Sequence, residues 1–153
     1  MLRYIVINLK KGKNMKNLSI ILGLLFITTV SADGHMQSEK DVLSALNKYF
    51  DARNAQDFDT VVALTSKTGS LDTNSDGSFH KPNNVMTAED WENSSQGGVT
   101  KVHYPEATQI SKDVVHVRFY SEGMVFSGEN ASDYRTRVTM NWIKENGAWV
   151  MKS

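Results

Sequence analysis

The stretch Lys48-Tyr-Phe-Asp-Ala-Arg-Asn-Ala-Gln-Asp-Phe-Asp-Thr-Val-Val-Ala-Leu64 constrains the fold more than any other part of the chain. Val42, Leu46, Tyr49, Phe50 and Arg53 fall at i, i+4 and i+7 spacing, which gives a first helix one apolar face with a polar fringe. Asn54-Ala-Gln-Asp57 breaks that run, and the Asp57 carboxylate suits the free N–H groups that open a second helix. Phe58, Val61, Val62 and Leu64 supply the buried stripe of that helix. Two short helices around one hinge are therefore written into a single segment.

Ser38-Glu-Lys-Asp41 has capping-box spacing and predicts the start of the first helix, which runs to about Gln56. The second helix is expected from Phe58 to about Ser66. A short strand follows at Ser70–Thr73, then a tight turn at Asn74-Ser-Asp-Gly77. Thr87-Ala-Glu-Asp90 is a second capping box. It opens a third helix that carries Trp91 and ends at Gln96-Gly97-Gly98. From Val99 the period changes to two. Val115, Val117 and Phe119 alternate with His116, Arg118 and Tyr120. Val138, Met140 and Trp142 alternate with Arg137, Thr139 and Asn141. Glu145-Asn-Gly147 is a hairpin turn before a last strand at Trp149-Val-Met151. Helices followed by a strand meander make an α+β layout. Pro82 and Pro105 suit loop or strand-edge positions.

The chain has 153 residues, enough for one domain with a real core. Its net charge of zero hides an asymmetry. The first 32 residues carry five of the 17 basic side chains and none of the 17 acidic ones, so residues 33–153 have a net charge of −5. A domain this acidic, with its cations scattered, has no footprint for nucleic acid. Met15-Lys16-Asn17 and the apolar run Leu18–Val30 read as the n- and h-regions of a signal peptide over residues 15–32, with Val30-Ser31-Ala32 placing cleavage before Asp33. The apolar run is shorter than the ~20 residues that span a bilayer. The expected destination is the periplasm or the exterior, with nothing left embedded in a membrane. Residues 1–14 are expected to be an upstream extension, with translation starting at Met15. The chain has no cysteine, so disulfides and thiol chemistry are excluded.

The helix–hinge–helix segment resembles the opening of the NTF2-like superfamily, which includes SnoaL-like and ketosteroid-isomerase-like domains. There an A-x-N-x-x-D-x-D hinge joins two helices that roof a conical pocket. Trp142-Ile-Lys-Glu-Asn-Gly-Ala-Trp149 is similar to the W-x-K-x-x-G-x-W of the superfamily's last hairpin. The resemblance covers residues 38–153 and implies a cone, with three N-terminal helices packed on the concave face of a curved antiparallel sheet. Domain bounds of 33–153 follow.

In the isomerase branch, a tyrosine at the place of Tyr49 donates to a developing oxyanion. That chemistry also needs two carboxyl groups. Alignment from the hinge puts Thr73 at the first, beside Asp72, and Asn141 at the second, so isomerase catalysis is not expected. A core aromatic is the other reading of Tyr49. Asp72-Thr-Asn-Ser-Asp-Gly77 matches half of a calcium loop, but Asn83 at its twelfth position lacks the closing carboxylate, and the same residues form hairpin turns. His35, His80, His103 and His116 have no metal-ligand spacing, so neither metal nor cofactor is expected.

The expected ligand pocket comprises Tyr49, Arg53, Trp91, Val117, Phe119, Arg137 and Asn141. It suits a small, partly apolar and anionic molecule. Pairing of Arg53 and Arg137 with acids at the surface is the competing reading. Three functions stay open: a ligand-binding domain, a cofactor-free acid–base lyase, isomerase or hydrolase of the SnoaL-like kind, and a structural dimerisation module. A homodimer is expected through an outer sheet face of His116, Arg118, Tyr120, Val138, Met140 and Trp142.

Overall fold

The computed structural model describes residues 15–72, 83–94, 96–127 and 130–153. Contacts divide the chain after Gly34, and the unit His35–Ser153 holds the sheet and the core. Helix α1 spans Met15–Ala55, α2 Phe58–Ala63 and α3 Ala88–Asn93. Strands β1 (Gln96–Ser111), β2 (Val114–Ser127), β3 (Asn130–Glu145) and β4 (Ala148–Met151) follow. They form one antiparallel sheet in the order β1-β2-β3-β4. Helices followed by a curved, unclosed sheet of four strands give the α+β cone.

The helix–hinge–helix segment forms as its sequence dictates. Gln56 takes a left-handed φ of 58°, and the Asp57 N–H reaches back to the Ala52 carbonyl at 2.9 Å, which closes the end of α1. The Asp57 carboxylate then accepts from the Thr60 N–H at 3.1 Å and caps α2. Hydrogen bonds from the Thr60 hydroxyl and then its N–H hold the Asp57 carboxyl below its ordinary range. The capping box at Thr87 and Asp90 is complete and opens α3. The Thr87 N–H and hydroxyl donate to Asp90 and hold its carboxyl low in the same way.

Three boundaries differ from the sequence reading. Residues ahead of Ser38 continue the helical hydrogen bonding, so Ser38–Asp41 lies inside α1 and does not open it. Asp41 instead accepts from the Gln37 side chain one turn earlier, at 2.7 Å. Helix α2 stops at Ala63, because the next residues turn to run beside β4: the Met151 N–H donates to the Leu64 carbonyl and the Ser66 N–H to that of Met151. Gln96–Gly98 begins β1 where a helix end is expected. Ser70 makes an isolated bridge to Asn84, while the turn at Asn74–Gly77 lies outside the described residues.

Among the described residues, strand β1 lies at the sheet's edge, with backbone groups that no strand pairs. Helix α1 supplies the partners. The Asn54 side chain donates to the Thr100 carbonyl and accepts from the Thr100 N–H, both at 2.8 Å. Glu39 accepts from the Gln109 N–H at 2.9 Å. One amide and one carboxylate thus occupy the edge at Thr100 and Gln109, where they hinder strand addition. Pro105 sits in the irregularity between His103 and Glu106, where no ladder N–H is needed.

The register decides which side chains face the helices. Val115 pairs with Trp142, Val117 with Met140 and Phe119 with Val138. Directly opposed residues share a face. Val115, Val117 and Trp142 have no exposed surface, and Phe119 and Met140 are buried. Val138, Met140 and Trp142 therefore belong to the core together with the Val115–Phe119 stripe, against Val42, Leu46, Tyr49 and Phe50 of α1. This corrects the outer patch expected from sequence. Strand β3 turns its apolar residues inward and leaves Arg137, Thr139 and Asn141 on the opposite face.

Candidate functional site at the rim of the cone

The site begins with the last two turns of α1. Tyr49 is buried and Arg53, one turn further on, is half-buried. The i, i+4 spacing stacks them on one face. The Arg53 guanidinium carbon lies 5.9 Å from the Tyr49 ring centre and 5.1 Å from that of Trp91. Trp91 in turn stacks on Phe58 at 6.0 Å with planes 12° apart. The capping box that starts α3 and the hinge that starts α2 bring Trp91 and Phe58 to this point. A guanidinium lying over π faces still presents several N–H donors at its edges for hydrogen bonding. Among the described residues, the ion pairs are His103–Glu122, Arg118–Glu106 and Arg135–Glu122, so Arg53 is left without a carboxylate.

Burial raises the pKa of the Tyr49 phenol above its ordinary value, and the Asp72 carboxylate adds to the rise. The Arg53 guanidinium opposes it through charge and a hydrogen bond. The phenol therefore stays protonated at neutral pH and is available as a donor. Asp72 itself is exposed and accepts from the Ser70 hydroxyl at 2.6 Å.

Of the residues expected to line a pocket, Tyr49, Arg53 and Trp91 come together. Val117 and Phe119 share their inner face but are packed into the core, with Phe119 edge-on to Phe50 at 5.4 Å. Arg137 and Asn141 are on the other side of the sheet. Arg137 is exposed opposite Tyr120. The Asn141 side chain is engaged there with the His116 ring at 3.0 Å and the Ser153 hydroxyl at 2.9 Å. The reason is the two-residue period: fixing Val117 inward fixes Met140 inward, and Asn141 must point away.

Phe58 and Trp142, absent from the expected pocket, join the neighbourhood, as does the charge of Asp72, the residue beside the aligned carboxyl position. The apolar stripe of α2 signalled Phe58 as buried, while only the register could find Trp142. Most of the calcium-loop pattern lies outside the described residues. Among those described, no three metal-ligating side chains gather.

This architecture is the NTF2-like fold. No protein-family model and no curated protein matches the sequence, so the likeness lies in the structure. A scytalone dehydratase-like protein from Novosphingobium aromaticivorans superposes with a TM-score of 0.63 at 12% identity, over 79% of this chain and 83% of that one. An NTF2-like protein of unknown function from Pseudomonas putida superposes at 0.56 with 11% identity, over 76% and 82%. The association domain of C. elegans CaMKII does so at 0.54 with 16% identity, over 78% and 94%. Among the described residues, no helix is long and apolar enough to cross a membrane.

Proposed function

We propose that this chain is an NTF2-like domain that binds a small, partly apolar anion at the rim of its cone, with Arg53 taking the charge and Trp91 the apolar body. The carrying observation is the half-buried Arg53 stacked between Tyr49 and Trp91 with no carboxylate partner among the described residues. A partly desolvated guanidinium is more stable with an anion than without one, and its fixed plane suits the two oxygens of a carboxylate. The protonated Tyr49 hydroxyl adds a donor beside it. Calorimetric titration of aryl and alkyl carboxylates into the protein should find ligands that Arg53→Ala weakens at least tenfold, the loss of one charge-assisted contact. Equal binding by the variant would move the site elsewhere.

The same domain is proposed to self-associate through its outer sheet face, as the likeness to an association domain supports. The apolar part of that face lies at the far end of the sheet, where Val99 and its register partner Met124 are 56% and 44% exposed. Phe126 beside them is 40% exposed. Contiguous apolar surface of this kind marks contact sites. Sedimentation equilibrium should give a dimer that Met124→Asp converts to monomer; a monomeric wild type at high micromolar concentration would end the idea.

A further inference from the structure

The outer face of the sheet carries two rows of polar side chains beside its apolar end. His103, Tyr120 and Arg137 are register neighbours across β1, β2 and β3, and two residues further along so are Lys101, Glu122 and Arg135. Glu122 and Arg135 line one hollow together with Val99, Met124 and Phe126. The Glu122 carboxylate is therefore part of the patch that a second copy would cover. One of its oxygens meets the Arg135 Nε at 3.2 Å. The other lies 3.5 Å from the His103 Nε2, near enough for charge but not hydrogen-bonded. That nitrogen is closed off from water, while the side chain as a whole is 25% exposed and so exchanges protons with solvent. Histidine is the side chain that ordinarily changes charge between pH 5 and 8. In the neutral ring the proton sits on either nitrogen. In the imidazolium Nε2 always carries one, and its bond to a carboxylate is charge-assisted. A carboxylate covered by a partner loses its water, and the penalty falls with each donor that takes the water's place. Arg135 supplies one donor whatever the pH, and His103 adds a second only when protonated.

We propose that His103 and Glu122 make self-association of this domain pH-sensitive, so that two copies bind more tightly as the pH falls through the histidine range. The proposal rests on association through the outer face and adds its control. Repulsion between the new charge and its neighbours is the opposing effect. Those neighbours are Lys101, Tyr104 and Glu106 on β1, Arg118, Tyr120 and Glu122 on β2, and Arg135 and Arg137 on β3. Glu106 holds Arg118, Glu122 holds Arg135, and Lys101 is exposed to water. Arg137 stands two strand spacings away, about 10 Å, where salt screens it. The charge in contact with the ring is the Glu122 carboxylate, so attraction wins. A dimer that favours the imidazolium takes up protons as it forms. Its added affinity is full below the histidine range and is lost as the pH rises through it.

Sedimentation equilibrium of the full chain at about pH 5.5 and about pH 7.5, either side of the histidine midpoint, tests this. The dimer dissociation constant should be about tenfold smaller at the lower pH, roughly threefold for each of the two symmetry-related histidines. His103→Gln, which keeps a neutral polar side chain, should lose most of that response, and Glu122→Gln should lose it equally. His116→Gln removes the other histidine of the outer face, the one bonded to Asn141, and should keep it. A second measurement reads the wild type directly. The His103 ring signal, identified by its absence in His103→Gln, should titrate at a higher pH in concentrated than in dilute protein. A dimer of equal affinity at both pH values, or a response that survives His103→Gln undiminished, would overturn the proposal and leave the outer-face dimer standing. A monomer at both pH values, at high micromolar concentration, would overturn both.

Discussion

Leu46→Ala is expected to destabilise the protein by about 2–5 kcal/mol, the range for deleting a fully buried leucine side chain. Leu46 has no exposed surface and sits at the centre of the α1 face that covers the sheet. Its removal takes apolar contacts from water exclusion and leaves a cavity between helix and sheet that the strands cannot fill without breaking their ladder. Ser44, two residues earlier and on the exposed face, supplies the contrast: Ser44→Ala should stay within about 0.5 kcal/mol of wild type. Urea unfolding of the three proteins measures both. A cost below about 1 kcal/mol for Leu46→Ala would mean that the cone is loosely filled.

Gly123→Ala should cost about 1–3 kcal/mol, the scale of overpacking, although it adds a single methyl group. A Cβ at this position would lie 1.9 Å from the Val99 carbonyl oxygen, 2.9 Å from its carbon and 3.0 Å from the Thr100 Cα. All three are backbone atoms of β1, so no side-chain rotation relieves the contact, and β1 must move away from β2. Thr100 is the register partner of Gly123 and also the residue that Asn54 holds from the helix. The displacement therefore strikes the point where sheet edge and helix are tied. Hydrogen exchange should show β1 amides near Thr100 losing protection before those of β3. Wild-type stability in this variant would show that the two strands do not approach so closely.

These expectations rest on different amounts of sequence information. Local chemistry was enough for the hinge at Asp57, the capping box at Thr87 and the alternation of β2, because each depends on neighbours within about one helical turn or along one strand. The resemblance of the hinge and of the Trp142–Trp149 hairpin carried that local reading to a cone. Tyr49, Arg53 and Trp91 were legible as a group for the same reason: two share a helix face, and the third sits at a fixed place behind its cap.

The phase of β3 was not legible. Its segment alternates on both faces between residues that tolerate burial and residues that tolerate water, so Arg137 and Asn141 fit an inner wall as well as an outer one. Pairing with β2 settled the matter, because Val117 opposite Met140 and Val115 opposite Trp142 turn both rows to the helices together. The same long-range pairing buried the Trp142 N–H without an acceptor and surrounded it with methionines. The amino-acid sequence by itself determined the hinge, the caps at Asp57 and Thr87 and the apolar stripes, since those are set by short-range geometry. Tertiary structure alone decided which face of each strand the stripes meet, and with it which polar groups the cone encloses.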